Sequence, residues 1–308
     1  MLDVRRLRLL RDLARLGTIA AVAQAHTYTP SAVSQQLSAL EREAGVALLE
    51  RTGRRVGFTA AGRVLVAHAE TVLAALEETT AALAAIATGP TGPLRIGAFP
   101  TAVRTLLPAT LVALGDRYPG LELTVTELDP VAVPAALHER RLDVGLLHDY
   151  DVAPVEPDPA LDAVPLLDET VFLAVADAPG TDPSGVGGVP VAGEDPLDGV
   201  RDLPWIVASP GTLCHTVTLH VCRAAGFAPR VRHQADDFAT VLALVAAGQG
   251  VSLVPQLAAV DPPAGVRLLP LRTRRRTRVA YRRGAAAHPA VAAFVTAIRA
   301  ATGDVLAR

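Results

Sequence analysis

Residues 18–37 read TIAAVAQAHTYTPSAVSQQL, and the rest of the chain is read outward from this stretch. Thr18 suits the cap of a short helix, because its hydroxyl can accept from a free backbone N–H of the first turn. Ile19–Ala25 is small and apolar, as a helix crossing another at close range must be. His26, Thr27 and Tyr28 make a turn. Thr29 caps a second helix, and Pro30 fits its first helical position, where no N–H is needed. Val33, Leu37 and Leu40 fall at i, i+4 and i+7 and form one buried stripe. The opposite face carries Ser31, Ser34, Gln35 and Ser38, all short and uncharged. A helix that is apolar inside and short-polar outside can come close to base edges in a major groove.

The pieces around it keep a common spacing. Thr29-Pro30-Ser31-Ala32-Val33-Ser34-Gln35-Gln36-Leu37 is followed by Leu40-Glu41, Gly45-Val46, Leu48-Leu49-Glu50-Arg51 and Thr59-Ala60-Ala61-Gly62. Together they resemble the N-terminal winged helix-turn-helix of LysR-type transcription regulators, without a gap through about the first sixty residues. The resemblance implies an N-terminal winged helix-turn-helix (α with a small β wing), a long linker helix, and a C-terminal two-lobed α/β effector domain resembling periplasmic-binding proteins. It implies a sequence-specific, DNA-binding transcription regulator that responds to a small-molecule effector bound between the lobes. Its partners would be an inverted-repeat promoter site on double-stranded DNA, the effector, and further copies of itself, as a dimer or a dimer of dimers. A rival reading is a solute-binding or sensing module whose head no longer binds DNA productively.

Residues on either side of Thr52-Gly53-Arg54-Arg55 can pair as a two-stranded wing. Arg51, Arg54 and Arg55 are then the natural phosphate contacts, with Thr29, Pro30, Ser31, Ser34 and Gln35 on the base-reading side. The next helix, from Thr59 to about Thr88, carries Leu65, Val72 and Ile86 in one heptad place, interrupted by Thr79. Ala69, Leu76 and Leu83 fill the other. Such a seam predicts a dimerisation arm, with packing on its own body as the alternative. Gly89–Pro93 stops the helix.

At 308 residues the chain is too long for one compact core. Expected boundaries are 1–58 for the head, 59–88 for the linker, 94–167 with 268–308 for one lobe, and 168–267 for the other. The net charge is -2, and every basic residue is Arg. Residues 1–60 hold 9 Arg against 5 acidic residues, so a basic head sits on an acidic body. The Arg-rich first sixteen residues contain Asp3 and Asp12 and lack Ser, so they read as the first helix, with Leu9, Leu13 and Leu16 inward. No apolar run reaches membrane-span length, which points to a cytoplasmic protein.

From Leu94 onward, strand and helix patterns alternate, predicting a parallel α/β layout. Pro100–Arg117 reads as one helix. Val164–Leu167 and Val171–Ala176 read as separate strands, as do Val266–Leu271 and Arg278–Tyr281. Ligands in such sheets sit beyond strand ends, at helix amino ends. Phe99, Thr101, His148 and Thr212 stand at such places, where the cleft of the resembled family lies between its lobes, so the resemblance implies them as effector contacts; Gly248-Gln249-Gly250 could close the cleft. Gly180–Gly199 is a Gly- and Pro-rich loop of no assigned role.

Cys214 and Cys222 are too far apart on a helix to bridge without unfolding it. Cys214, near a helix amino end, could have a lowered thiol pKa, which leaves open a redox role that needs such a rearrangement. The seven Arg of residues 272–283 read as an exposed strand face. No catalytic motif, metal set or cofactor motif emerges, so an enzyme is not expected.

Overall fold

The caps written into the head do what their chemistry requires. The computed structural model describes residues 1–52, 55–86, 89–177 and 195–306, with backbone only at residues 51, 52, 55 and 306. Helix α1 (Val4–Leu16) begins at Asp3, whose carboxylate accepts from the Arg5 and Arg6 N–H groups, and ends on left-handed Gly17. Thr18 opens α2 (Ile19–Ala25) by accepting from Ala21 N at 3.1 Å. Thr29 opens α3 (Pro30–Ala44) by accepting from Ala32 N at 3.2 Å, and left-handed Gly45 closes it. Leu10, Leu13, Val22, Val33, Leu37 and Leu40 make the buried head core. Strands β1 (Leu49–Thr52) and β2 (Arg55–Phe58) pair antiparallel as the wing. A Cβ on Gly62 would stand 2.1 Å from the Leu48 carbonyl oxygen, so the next helix can abut the wing only with glycine there.

That helix, α4 (Ala60–Ala85), starts at Thr59, which accepts from Gly62 N. It has two apolar sides. Leu73 and Ala81 are buried, while Val72, Leu76, Leu83 and Ile86 are 40%, 43%, 65% and 80% exposed. Glu77 takes ion pairs from Arg140 and Arg282 of the body. Part of the helix therefore packs on the body, while most of the heptad seam faces outward. Thr88, the expected helix end, lies outside the described residues.

The body is built on a mixed six-stranded sheet. Its strands are β3 (Gly92–Ala98), β4 (Leu121–Glu127), β5 (Val144–Tyr150), β6 (Leu161–Ala176), β9 (Ser252–Pro255) and β10 (Val266–Arg282), in the order β4-β3-β5-β10-β6-β9. β3 runs parallel to β4 and β5; β10 runs antiparallel to β5 and β6, and β9 antiparallel to β6. A second pair, β7 (Pro204–Val207) and β8 (Arg230–Gln234), is parallel and bridges to Val251 beside β9. Around these lie α5 (Pro100–Thr105), α6 (Leu107–Arg117), α7 (Val133–His138), α8 (Leu213–Ala224), α9 (Phe238–Ala246) and α10 (Pro289–Leu306). One lobe core gathers Leu94, Ile96, Leu146, Val279, Phe294 and Ile298; the other gathers Leu173, Trp205, Val207, Val221 and Leu253.

Four sequence expectations change. The sheet is mixed rather than parallel, because two antiparallel strands run through its middle. The four short strands expected at the crossings are two continuous ones, β6 and β10. Asp168-Glu169-Thr170 reads as a polar break, but each residue finds a partner on β10. Arg274 reaches Asp168 and Thr170, and Arg275 reaches Glu169. The expected helix 100–117 divides at Leu106, since Pro108 has no N–H to give back to Arg104. The Arg272–Arg283 segment is not simply an exposed face: Arg275 is 1% exposed. The 180–199 loop lies largely outside the described residues, as only its last five are placed.

Candidate DNA-reading head and effector cavity

On α3, Thr29, Pro30, Ser31 and Gln35 are exposed and Ser34 is half-buried, all beside the buried Val33–Leu37–Leu40 stripe. Thr29 Oγ1 and Ser31 Oγ lie 3.0 Å apart at the helix start. Ser34, Gln35 and Ser38 line a shallow concavity of about 750 Å³ that continues to Val46 and Ala47 ahead of the wing. Glu41 holds that approach by accepting from the Leu48 and Leu49 N–H groups at 3.0 and 3.1 Å. The turn is fixed by His26, whose Nε2 lies 2.6 Å from Asp12 Oδ2. Burial raises the Asp12 carboxyl, but His26 and Arg11 outweigh it and hold the group below its ordinary value. Of the three wing arginines, Arg54 and the side chains of Arg51 and Arg55 lie outside the described residues.

In the body, strand alternation sorts the candidate residues onto two faces of the β5–β10–β6 ribbon. On the first face Tyr150, Arg275 and Glu169 stand in direct register, with His148 and Thr277 in the next row. Arg275 Nε donates to Glu169 Oε1 at 2.6 Å, and Glu169 Oε2 accepts from Leu257 N at 2.6 Å. The guanidinium lies 5.0 Å from the Phe99 ring centre. Phe99 packs edge-on against His148, and His148 against Tyr150. Burial, then the charge of Arg275, hold the His148 imidazolium far below the usual range, so the ring is neutral. Phe99, Thr101 and His148 are all buried, and on this face His148 Nδ1, Arg275 Nη2 and Thr277 Oγ1 have no hydrogen-bond partner among the described residues.

The second face is open. A cavity of about 490 Å³ lies over Leu147, Asp149, Arg276 and Arg278 of the ribbon. Val131 and Pro134, the 155–158 loop, and Thr212 and Leu213 at the start of α8 complete its walls. Arg278 Nη2 pairs with Asp149 Oδ2 at 2.9 Å, leaving buried Asp149 Oδ1 without a partner among the described residues. Burial raises the carboxyl of Asp158, at the rim, but its 2.7 Å bond to His138, the Ala160 N–H and nearby positive charge together hold it below its ordinary value. The four expected effector contacts therefore do not converge. Phe99 and Thr101 sit on the filled side, and the His148 ring packs with Phe99 there even though the residue also borders the cavity. Thr212 walls the cavity, but its hydroxyl already accepts from His215 N and donates to the Ser209 carbonyl. Gly248–Gly250 borders none of this cavity; a Cβ on Gly250 would stand 2.5 Å from the Pro204 carbonyl oxygen. Sequence reasoning missed Arg276, Arg278 and Asp158. The parity of the arginine strand was the signal that could have separated Arg275 from its neighbours.

Both cysteines lie on α8. Burial pushes the Cys222 thiol up to about 12. Burial also raises Cys214, whose sulfur lies 3.5 Å from the Tyr150 hydroxyl, against the expectation of a lowered pKa at the helix start.

Residues 4–63 match the bacterial regulatory helix-turn-helix protein, lysR family, and residues 87–303 match the LysR substrate binding domain. A probable hydrogen peroxide-inducible genes activator of Mycobacterium avium is 34% identical over 259 residues, covering 82% of this chain and 77% of that protein. The DNA-binding transcriptional dual regulator OxyR of Escherichia coli strain K12 is 32% identical over 306 residues, covering 94% and 95%. A cysteine mutant of Corynebacterium glutamicum OxyR has a similar structure, with a TM-score of 0.59 at 26% identity over 100% of this chain and 94% of that one. Full-length CbnR complexed with its target DNA shares the fold, with a TM-score of 0.52 at 24% identity over 98% and 100%. The chain belongs to the LysR family: it is a DNA-binding transcription regulator with an effector-binding body.

Proposed function

We propose that this LysR-type regulator works as a homo-oligomer whose heads read an inverted-repeat site, and whose grip on DNA changes when a small molecule fills the 490 Å³ cavity. The observation that carries the reading is the α3 surface: exposed Thr29, Pro30, Ser31 and Gln35 on a rigidly capped helix, in a head with more arginine than acid. Gln35 is the base reader, since its amide can pair bidentately with adenine. Ser31 and Ser34 approach the same groove, with Thr29 and Pro30 at the helix start. Arg51, Arg54 and Arg55 hold phosphates, which gives affinity without sequence. The outward seam of Val72, Leu76, Leu83 and Ile86 supports pairing of two α4 helices. Half-sites then lie about one helical turn apart, or a multiple of that. The protein acts in the cytoplasm on the chromosome and catalyses nothing; no helix of the described residues is long and apolar enough to cross a membrane.

The peroxide response in the relatives' names is not carried over. A thiol reacts as its thiolate, and both thiols here are held protonated by burial. Eight residues apart on one helix, they can bridge only if that helix unfolds.

A mobility-shift assay on the DNA flanking its own gene tests the main reading. A salt-sensitive, sequence-preferring complex is expected. Gln35→Ala should relax base preference, and Arg54→Ala should weaken all sequences alike. Absence of any sequence-preferring complex, with and without candidate metabolites, would sink the reading and favour a sensing module with an idle head.

A further inference from the structure

We infer that the 490 Å³ cavity takes an apolar α-amino acid, bound as a zwitterion between Arg276 and Asp149. The inference rests on the cavity being the effector site. Arg276 and Asp149 are directly opposed on adjacent antiparallel strands, so their side chains start about 5 Å apart on the same face. They make no bond to each other. Asp149 turns one oxygen to Arg278, and its other oxygen is buried without a donor. The Arg276 guanidinium has no hydrogen-bond or ion-pair partner among the described residues, although two acids, Asp149 and Asp168, flank it in register. Asp168 is held by Arg274 instead.

An α-carboxylate and an α-ammonium are separated by a single carbon. They therefore fit a donor and an acceptor on neighbouring strands better than one charge alone would. The carboxylate would meet Arg276, with the Leu213 N–H at the start of α8 as a further unengaged donor beside the cavity. The ammonium would supply the hydrogen missing at Asp149 Oδ1. The remaining walls set the side chain. Val131, Pro134, Leu147, Val155, Leu161 and Leu213 are apolar, and the volume falls within the usual range for small-ligand sites. Of the other charged wall residues, Asp158 is bonded to His138, Arg278 is paired with Asp149, and Glu156 is exposed to solvent, so the buried part of the wall favours an apolar side chain.

The test is titration calorimetry on the full-length protein with L-phenylalanine, L-leucine and L-methionine. The controls are 3-phenylpropanoate, which lacks the ammonium, and phenethylamine, which lacks the carboxylate. At least one amino acid should bind at least about tenfold more tightly than either control. Arg276→Ala should weaken it about tenfold or more, and Arg276→Lys should recover part of the loss. Ala163→Phe, which fills the cavity from an exposed strand position without changing charge, should abolish binding. Thermal midpoints close to that of the parent would establish that the variants fold. If a control binds as well as the amino acids while Ala163→Phe still abolishes binding, the ligand class is wrong and the cavity reading stands. If amino acids bind and Ala163→Phe leaves them untouched, the cavity reading itself falls. If none of the three amino acids binds at about 10 mM, the zwitterion inference is overturned.

Discussion

Arg275 and Arg276 are adjacent in sequence and inhabit opposite environments. Arg275 is sealed with Glu169 under Phe99, and the space around it is occupied by the protein's own aromatic rings. Arg276 points from the same strand into an open cavity and bonds to nothing among the described residues. One face of the ribbon is packed shut, although Arg275 Nη2, His148 Nδ1 and Thr277 Oγ1 find no partner among the described residues, and the other face is open. A residue type alone therefore says little about role in a strand. The side of the sheet on which it falls decides whether its charge is paired inside the fold or left open to a cavity.

The contrast breaks most visibly if the filled face proves dispensable. Glu169→Gln leaves Arg275 buried without its counter-charge and should lower unfolding free energy by about 3–5 kcal/mol in urea titration. The double change Glu169→Leu with Arg275→Met should recover most of that loss, because it removes both charges together.

A second test uses pH. His148 is neutral when folded, with its pKa depressed by burial and by Arg275, so the unfolded chain binds more protons below about pH 6.5. Stability should therefore fall as pH drops below that point, by up to about 1.4 kcal/mol per unit from this residue. The contribution should vanish in His148→Gln, measured by denaturation between about pH 5 and 7.

On the open face the effects shrink. Asp149→Ala breaks the pair with Arg278, which is a third exposed, and should cost about 1 kcal/mol. Arg276→Ala should change stability by less than about 0.5 kcal/mol. If it destabilised the protein as much as Glu169→Gln does, Arg276 would be part of the framework and the two faces would not differ in kind.

The head was legible because its signals are local. Thr18, Thr29 and Thr59 cap the helices that follow them within three residues, and Val33, Leu37 and Leu40 repeat at the helical period. The cavity was hidden for the opposite reason. The partner of Arg275 lies 106 residues earlier, and nothing near either residue announces the other. Asp168-Glu169-Thr170 and the arginine run each read as interruptions or surface when taken singly, and only their pairing makes two continuous strands. The double-lobed architecture was legible from alternation and family resemblance, but the parity that separates the filled face from the open one required the register.

Gly284 sets a close approach between the body and the linker helix. A side chain there would place its Cβ 2.3 Å from the Ala74 carbonyl oxygen, so the body meets α4 backbone to backbone at that point. From Ala74 to the head end of the helix is about 21 Å at 1.5 Å per residue. A tilt of about 10° around that point would carry the head roughly 4 Å, a little more than one base-pair step. The length of the linker helix is such that an adjustment within the body that tilted it would shift the head's register along DNA.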